Sequence, residues 1–119
     1  MDRQELYNKA RDGIKEQGCL AFQSLEDGGG TCMYRAANGS RCALGQLIPD
    51  ELYHKAMEGN GPWLLFEKFP IVLEYLGVDN REFLGDLAMA HDDAAFNGST
   101  TEVALSRLAD VARNYGLEP

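Results

Sequence analysis

Cysteine and histidine carry the most reactive side chains of this 119-residue chain, which has three cysteines and two histidines. Cys32, Cys42, His54 and His91 match a zinc site of two thiolates and two imidazoles by count. The nine residues between Cys32 and Cys42 exceed the about two to four that usually separate a ligand pair, so no metal is predicted. A cysteine nucleophile with His54 or His91 as its base is available by inventory alone. We interpret the cysteines as small buried hydrophobic residues.

His91 is followed directly by Asp92 and Asp93, a pattern similar to the His-Asp pair of metal-dependent phosphohydrolases. Those enzymes have several further His and Asp ligands, whereas His54 is the only other histidine here. A metal-dependent hydrolase using His91 and Asp92 is therefore the second alternative function. The favoured interpretation is a buried histidine oriented by a hydrogen bond to backbone or carboxylate. We predict a non-enzymatic protein without catalytic residues, metal or cofactor.

A candidate anion pocket consists of Tyr34, Arg35 and Arg41, which flank the turn sequence Asn38-Gly39 in the middle of the chain. Arginines beside a helix N-terminus bind anions well, so the first alternative function is small-molecule or nucleotide binding. The competing interpretation is that the two arginines pair with Asp50 and Glu51.

Negative charge is concentrated in residues 46–98, which carry ten acidic and three basic side chains. Their net charge is therefore −7, compared with −8 for the whole chain. Binding to a phosphate backbone depends on clustered Lys and Arg, so direct nucleic-acid binding is not expected. Solubility alone would also explain the charge. The predicted function is an acidic face that binds a basic partner surface, in its sharpest form as a nucleic-acid mimic. That form requires nine acids on one exposed surface: Glu51, Glu58, Glu67, Glu74, Asp79, Glu82, Asp86, Asp92 and Asp93.

Helical periodicity and capping residues predict most of the elements. One helix runs from Arg3 to Gln17 between Asp2 and Gly18, and another from Pro70 to Gly77. A long helix capped by Asp79 buries a stripe of seven residues, and a last helix capped by Ser99 ends at Gly116. A helical turn over 43–48 and a helix over 51–57 flank Pro49. The stripe consists of Phe83, Leu84, Leu87, Ala88, His91, Ala94 and Ala95.

A β-hairpin is predicted where Asn38-Gly39 separates residues 32–35 from residues 40–43, because Asn-Gly favours a type I′ turn. Residues 26–30 read as a glycine-rich loop, and the type of element over residues 19–25 stays open. The fold class is therefore mainly α (α+β), with five or six helices and one small hairpin packed on them, in a single domain over residues 1–119. Trp63 and Phe66 are assigned to the core; if exposed, Trp63 is the best candidate for a partner contact.

Cys32-x-Tyr34-Arg35, Gly39 and the run from Cys42 to Tyr53 together resemble a signature of small tailed-phage and prophage proteins, C-x-Y-R…G-x-x-C-A-[VIL]-G-x-L-I-P-D-E-x-Y. Many of these proteins also carry a later His-Asp pair, here His91-Asp92. The resemblance covers about half the chain and implies a setting, not a reaction. Genes of this kind often lie among phage accessory functions, which include inhibitors of host defence. By this association we expect a phage-encoded inhibitor that blocks a host or bacterial protein, such as a defence protein. No apolar run approaches a membrane span of about 18 residues, so we expect no membrane contact and a location in the host cytoplasm. We also expect no cofactor. The oligomeric state stays open.

Overall fold

The computed structural model describes residues 2–24 and 30–119, and of Ser24 it describes only the backbone. In these residues the fold consists of five α-helices and one two-stranded antiparallel sheet. This confirms the predicted mainly α fold with a small hairpin. Residues 26–29 of the predicted glycine loop lie outside the described residues. The elements are α1 (Arg3–Gln17), β1 (Phe22–Ser24), β2 (Gly30–Cys32), α2 (Pro62–Lys68), α3 (Pro70–Leu76), α4 (Arg81–Phe96) and α5 (Thr101–Asn114), with short 3₁₀ turns at Lys55–Met57 and Val78–Asn80.

The first helix has the predicted bounds, because both of its ends are set by local chemistry. The Asp2 carboxylate accepts a hydrogen bond from the Glu5 N–H at 2.8 Å and so satisfies an amide that has no partner within the helix. Gly18 ends the helix with φ of 73°, a conformation that glycine adopts without steric cost. The buried face of the helix is the apolar stripe that includes Leu6 and Ile14.

The last two helices each begin one residue later than predicted, and α4 buries its predicted face. All seven stripe residues of α4 are buried. Asp79 lies inside the 3₁₀ turn that precedes α4, so its predicted role as the cap is wrong. The Ser99 N–H donates to the Ala94 carbonyl and closes the end of α4. The backbone of Ser99 therefore belongs to the end of α4, and the next residue, Thr100, caps α5 by accepting from the Val103 N–H.

The hairpin lies earlier in the chain than predicted. β1 pairs with β2, with Phe22 opposite Cys32, whereas residues 33–35 and 40–43 are not strands. A turn does form at Asn38-Gly39, where the Gly39 N–H donates to the Ala36 carbonyl. Gly39 has φ of 88° but Asn38 has negative φ, so the turn is not type I′.

The carboxylate of Glu58 explains why the predicted strand over residues 32–35 does not continue. It accepts hydrogen bonds from the backbone N–H groups of Tyr34 and Arg35 at 2.9 and 3.0 Å. A neighbouring strand would otherwise supply the partners for such amides. A single side chain therefore satisfies the backbone here in place of a β-ladder.

Residues 43–53 form successive turns instead of the helical segments predicted on either side of Pro49. The Ile48 N–H donates to the Leu44 carbonyl, and the Tyr53 N–H donates to the Pro49 carbonyl, both at 3.1 Å. The predicted helix over 51–57 is reduced to the 3₁₀ turn Lys55–Met57. His54 interrupts it with extended backbone, and its Nδ1 accepts from the Ala56 N–H.

One cluster of buried side chains connects all the α-helices and the irregular middle of the chain, with members such as Leu6, Leu44, Leu65, Leu87 and Leu108. None of the helices in the described part of the chain is long and apolar enough to cross a membrane. The core therefore extends from α1 to α5, and the irregular segment between the hairpin and α2 contributes side chains such as Leu44, Leu47 and Ile48 to it.

Candidate functional site

The outward face of α4 carries two kinds of side chain in parallel rows. At about 100° per residue, Glu82, Asp86, Met89, Asp93 and Phe96 fall within about 80° of arc, on the side away from the buried stripe. The carboxylates occupy one edge of this arc, and Met89 and Phe96 occupy the other. Met89 is 44% exposed and Phe96 is 59% exposed. An outward row of large apolar residues is unusual on a helix whose opposite face already supplies the core.

Trp63 extends the apolar row toward α2. It is 44% exposed, so its assignment to the core is wrong, whereas Phe66 is buried as predicted. Its ring lies against Gly85 of α4, where a Cβ atom would collide with it. The outer edge of the six-membered ring of the indole is thereby held on the protein, while much of the side chain remains accessible to solvent.

Phe96 ends the apolar row and is held by an aromatic neighbour. Its ring meets Phe22 of β1 edge to face, with centroids 5.4 Å apart. Such pairs add about 0.5–1.5 kcal/mol beyond their buried area. Both rings remain partly exposed, so the pair presents a fixed aromatic surface. We call Trp63, Met89 and Phe96, with Glu82, Asp86 and Asp93, the α4 surface.

The acidic edge of the α4 surface borders a groove of about 420 Å³ between α4 and α5, lined by residues that include Asp86, Asp93, Arg107 and Tyr115. The Tyr115 hydroxyl donates to Asp86 Oδ2 at 2.7 Å. Burial, and then this hydrogen bond, raise the pKa of Tyr115 to about 12. Asp86 is thus held in place as a hydrogen-bond acceptor, whereas Glu82 and Asp93 are exposed.

The nine acids predicted to form one binding face occupy different environments. Glu82, Asp86 and Asp93 share the outward face of α4. Glu58, Asp86 and Asp92 accept hydrogen bonds from other side chains or backbone, so they are not free surface charges. The other four acids are exposed and lie outside α4. They are Glu51 in the loop after Pro49, Glu67 in α2, Glu74 in α3 and Asp79 in the second 3₁₀ turn.

Cys32, His91 and Asp92 meet with ligand atoms that all lie within 4.8 Å of one another. His91 is fully buried; its Nε2 accepts from the Ala21 N–H at 3.2 Å, so the ring proton is on Nδ1, 2.9 Å from Asp92 Oδ1. This is the predicted orientation of a buried histidine by backbone and carboxylate. His54 is exposed and stacks on Phe69, away from this cluster.

These hydrogen bonds disfavour both the hydrolase and the thiol-enzyme alternatives. A metal ion on Nδ1 would require an imidazole without any N–H proton, and one on Nε2 would leave the buried Ala21 N–H unpaired at a cost of about 1–3 kcal/mol. His91 has no free lone pair to accept a proton from Cys32. Burial, and then the charge of Asp92, raise the pKa of the Cys32 thiol well above its usual range. Cys19, Cys32 and Cys42 are free thiols, and Cys42 is buried.

Tyr34, Arg35 and Arg41 do not open onto a common pocket. The Tyr34 hydroxyl is directed inward and donates to the Asn60 carbonyl at 2.7 Å. Arg35 and Arg41 both reach Asp50 Oδ1, at 2.7 and 3.5 Å, which confirms the ion-pair interpretation for Asp50.

Met89, Phe96 and Phe22 were not predicted as site residues. Met89 and Phe96 follow Glu82 by seven and fourteen residues, so all three lie on the same helix face. Two apolar side chains on this otherwise polar face are a sequence pattern that indicates a binding surface. The contact with Phe22 has no such signal. In comparisons with known proteins, no family model, curated protein or solved structure matches this chain.

Proposed function

We propose that this chain is a non-enzymatic binding protein whose α4 surface contacts a basic and partly apolar surface of another protein. One observation carries the proposal: three large, exposed apolar side chains, two on α4 and one on α2, lie beside a row of carboxylates on the outward face of α4. Neither feature alone would distinguish a binding surface from an ordinary soluble one.

The apolar row supplies the binding energy. Aromatic residues and methionine are enriched in protein interfaces, and a few such side chains usually dominate the affinity. Trp63 is held by Gly85, and Phe96 is held by Phe22. Because both rings are already positioned, little side-chain entropy remains to be lost on binding.

The carboxylates determine which surfaces can approach. Glu82 and Asp93 are exposed at the acidic edge and repel acidic proteins and nucleic acid. Lys or Arg side chains on a partner would lie against these carboxylates while its apolar groups cover Met89. The partner surface is therefore basic along one side and apolar along the other.

The resemblance to phage proteins extends the proposal to a phage-encoded inhibitor acting on a bacterial host protein, with defence proteins as the first candidates. We favour a mixed apolar and acidic contact over nucleic-acid mimicry. Mimicry needs all nine acids on one exposed surface, whereas these acids are distributed over several elements and the Glu58 oxygens already accept three hydrogen bonds.

A photocrosslinking experiment with matched variants tests the proposal. A benzophenone amino acid replaces Met89 in one version and the exposed Val78 in a control, and both are irradiated in bacterial lysate. We expect a protein to crosslink at position 89 but not at position 78. Capture of that protein should fall about fivefold or more in Met89→Ser/Asp93→Asn, since each lost interface contact of this kind is worth about 1 kcal/mol. Higher salt should also weaken it.

The control variant Val78→Ser/Glu74→Gln makes the same chemical changes at exposed positions outside the α4 surface. It should retain full capture. Equal capture by both double variants, or equal crosslinking at positions 78 and 89, would rule out the α4 surface as the contact.

A further inference from the structure

The apolar row and the acidic row of the α4 surface repeat at the same interval along the helix. Met89 and Phe96 are seven residues apart, and so are Asp86 and Asp93. At a rise of about 1.5 Å per residue, the two members of each pair lie about 10.5 Å apart along the axis. The two rows are about 60° apart around the helix, so they run side by side along it. A segment that contacts both rows must present side chains at this interval.

An α-helix supplies side chains at this interval, whereas an extended segment does not. Side chains on one face of a strand repeat at about 6.7 and 13.4 Å, so they miss the interval of about 10.5 Å by about 3–4 Å. Residues i and i+7 of a helix share one face and have the same axial separation as the pairs on α4. Amphipathic helices commonly bind apolar surfaces through anchors at i, i+3, i+4 and i+7. The spacing therefore favours a helical segment.

The carboxylate row is open to basic side chains of a partner. Glu82 and Asp93 are exposed and have no hydrogen-bond or ion-pair partner among the residues that the structure describes. Asp86 accepts from the Tyr115 hydroxyl through Oδ2, which leaves its Oδ1 without a bond to the same part of the chain. Opposite charges across an interface select the partner and increase the association rate. The row therefore selects Lys or Arg side chains at the positions that face it.

The groove between α4 and α5, beside the carboxylate row, has the same sign of charge. Of its described lining residues, one is basic, Arg107, and three are acidic. The acids are Asp86, Asp93 and Asp110. Arg113 lies outside the lining and pairs with Asp110 at 2.9 Å. When that pair is counted as neutral, the groove retains two carboxylates against one guanidinium, so basic side chains fit this side of the surface better than acidic ones.

We propose that the partner covers the α4 surface with a basic amphipathic α-helix that lies along α4, an inference that rests on the function proposed above. Its apolar side chains repeat every seven residues against Met89 and Phe96 and contact the exposed part of Trp63. Its Lys or Arg side chains lie next to that row, against Glu82 and Asp93. Because α4 is 16 residues long, about 24 Å, the contact spans about two heptads of the partner helix.

Titration of designed peptides into the intact chain tests the chemistry of this helix, with Trp63 as the reporter. Trp63 is the only tryptophan of the chain and belongs to the α4 surface, so its emission responds to a bound segment. The probe is a tryptophan-free peptide of about 16 residues, with leucine at heptad positions a and d and lysine beside them. One control peptide has the same composition in scrambled order, and the other has glutamate in place of lysine. We expect a saturable change of Trp63 emission with the probe and at least tenfold weaker binding of both controls.

Variants of the chain show where the probe binds. Met89→Ser/Asp93→Asn should weaken binding of the probe about fivefold or more, whereas Val78→Ser/Glu74→Gln should not change it. Equal binding of the probe and either control peptide would overturn the inference. Equal binding to the two double variants, or no saturable change at millimolar probe, would overturn it as well.

Crosslinking from two positions tests the helical geometry in the partner itself. A benzophenone amino acid at position 89 and, in a separate variant, at position 96 should crosslink to partner residues about seven apart in sequence, since about 10.5 Å corresponds to that length of helix. An extended segment would place the crosslinked residues about three apart, and that result would overturn the inference while leaving the proposed function intact. Capture of no protein from position 89 would instead overturn the proposed function, and this inference with it.

Discussion

A single carboxylate, that of Glu58, organises the backbone in the middle of the chain. It accepts two backbone hydrogen bonds from Tyr34 and Arg35 and one from the Tyr53 hydroxyl, so three segments meet at one side chain. Arg35 is thereby placed over Tyr53 and beside Asp50. In the sequence Glu58 is one of ten acids between residues 46 and 98 and has no distinguishing neighbour.

Replacing Glu58 tests this role at the level of the residue. Glu58→Ala leaves two partly buried N–H groups and a tyrosine hydroxyl without their acceptor, and each unpaired group costs about 1–3 kcal/mol when water cannot replace the bond. We expect the free energy of unfolding in urea to fall by about 2–4 kcal/mol. Glu51→Ala, at an exposed acid of the neighbouring loop, should change it by less than about 0.5 kcal/mol. Similar effects of the two variants would contradict the role of Glu58.

At the scale of elements, the turn over residues 43–47 depends on close approach of two backbone segments. Gly45 is buried, and a Cβ atom there would collide with the carbonyl oxygen of Tyr34 and lie 2.9 Å from its carbonyl carbon. Neither segment can move easily, because Cys42, Leu44 and Leu47 are buried on the same turn. Glycine is therefore needed here for space, and not for a positive φ.

Gly45→Ala should separate these two segments. We expect destabilisation by about 2 kcal/mol or more, the cost typical of overpacking against backbone. The comparison is Gly61→Ala, which stands just before α2 with φ of −67° and has nothing within 4 Å of an added Cβ atom. That variant should stay within about 1 kcal/mol of the parent in urea unfolding, because alanine is a poorer N-cap than glycine but lowers the entropy of the unfolded chain. A tolerated alanine at position 45 would show that the turn is looser than described.

The elements also differ in how far local sequence determines them. The bounds of α1 follow from Asp2 and Gly18, both adjacent to the helix, and the buried stripe of α4 follows from its period. The start of α5 was predicted one residue early, because Ser99 and Thr100 are both capable caps. Local sequence does not show that Ser99 is already bonded to the end of α4.

At the scale of the molecule, the buried cluster extends from α1 to α5, although a single domain over residues 1–119 stays a prediction. Hydroxyl groups at its margins bond to carboxylates in two separate places, Tyr53 to Glu58 and Tyr115 to Asp86. In both cases partial burial and then the hydrogen bond to the carboxylate raise the pKa of the tyrosine to about 12.

These two tyrosines predict how stability changes at alkaline pH. An unfolded tyrosine has a pKa of about 10, so the folded state binds these protons more tightly than the unfolded state does. Their contribution is complete below about pH 10 and is lost as the pH rises from about 10 to 12. We expect the free energy of unfolding to fall over that interval, measured by urea unfolding at constant ionic strength.

The double variant Tyr53→Phe/Tyr115→Phe should show a shallower decline over the same interval. Some decline should remain, because burial also raises the pKa of Tyr34 and of the Cys42 thiol. An unchanged slope in the double variant would show that the two hydroxyls do not titrate with the fold.

The sequence by itself determined the helical class, the inward stripe of α4 and the concentration of acids in residues 46–98, because periodicity, capping and composition are local properties. It also offered Asp50 as one possible partner of Arg35 and Arg41, since Asp50 lies close to both along the chain, and the structure selected that interpretation. The tertiary structure alone decided that Trp63 rests on Gly85 with its ring exposed, and that Glu58 takes the place of a strand. Both depend on groups more than twenty residues apart in the sequence meeting in space, and no local pattern encodes such a meeting.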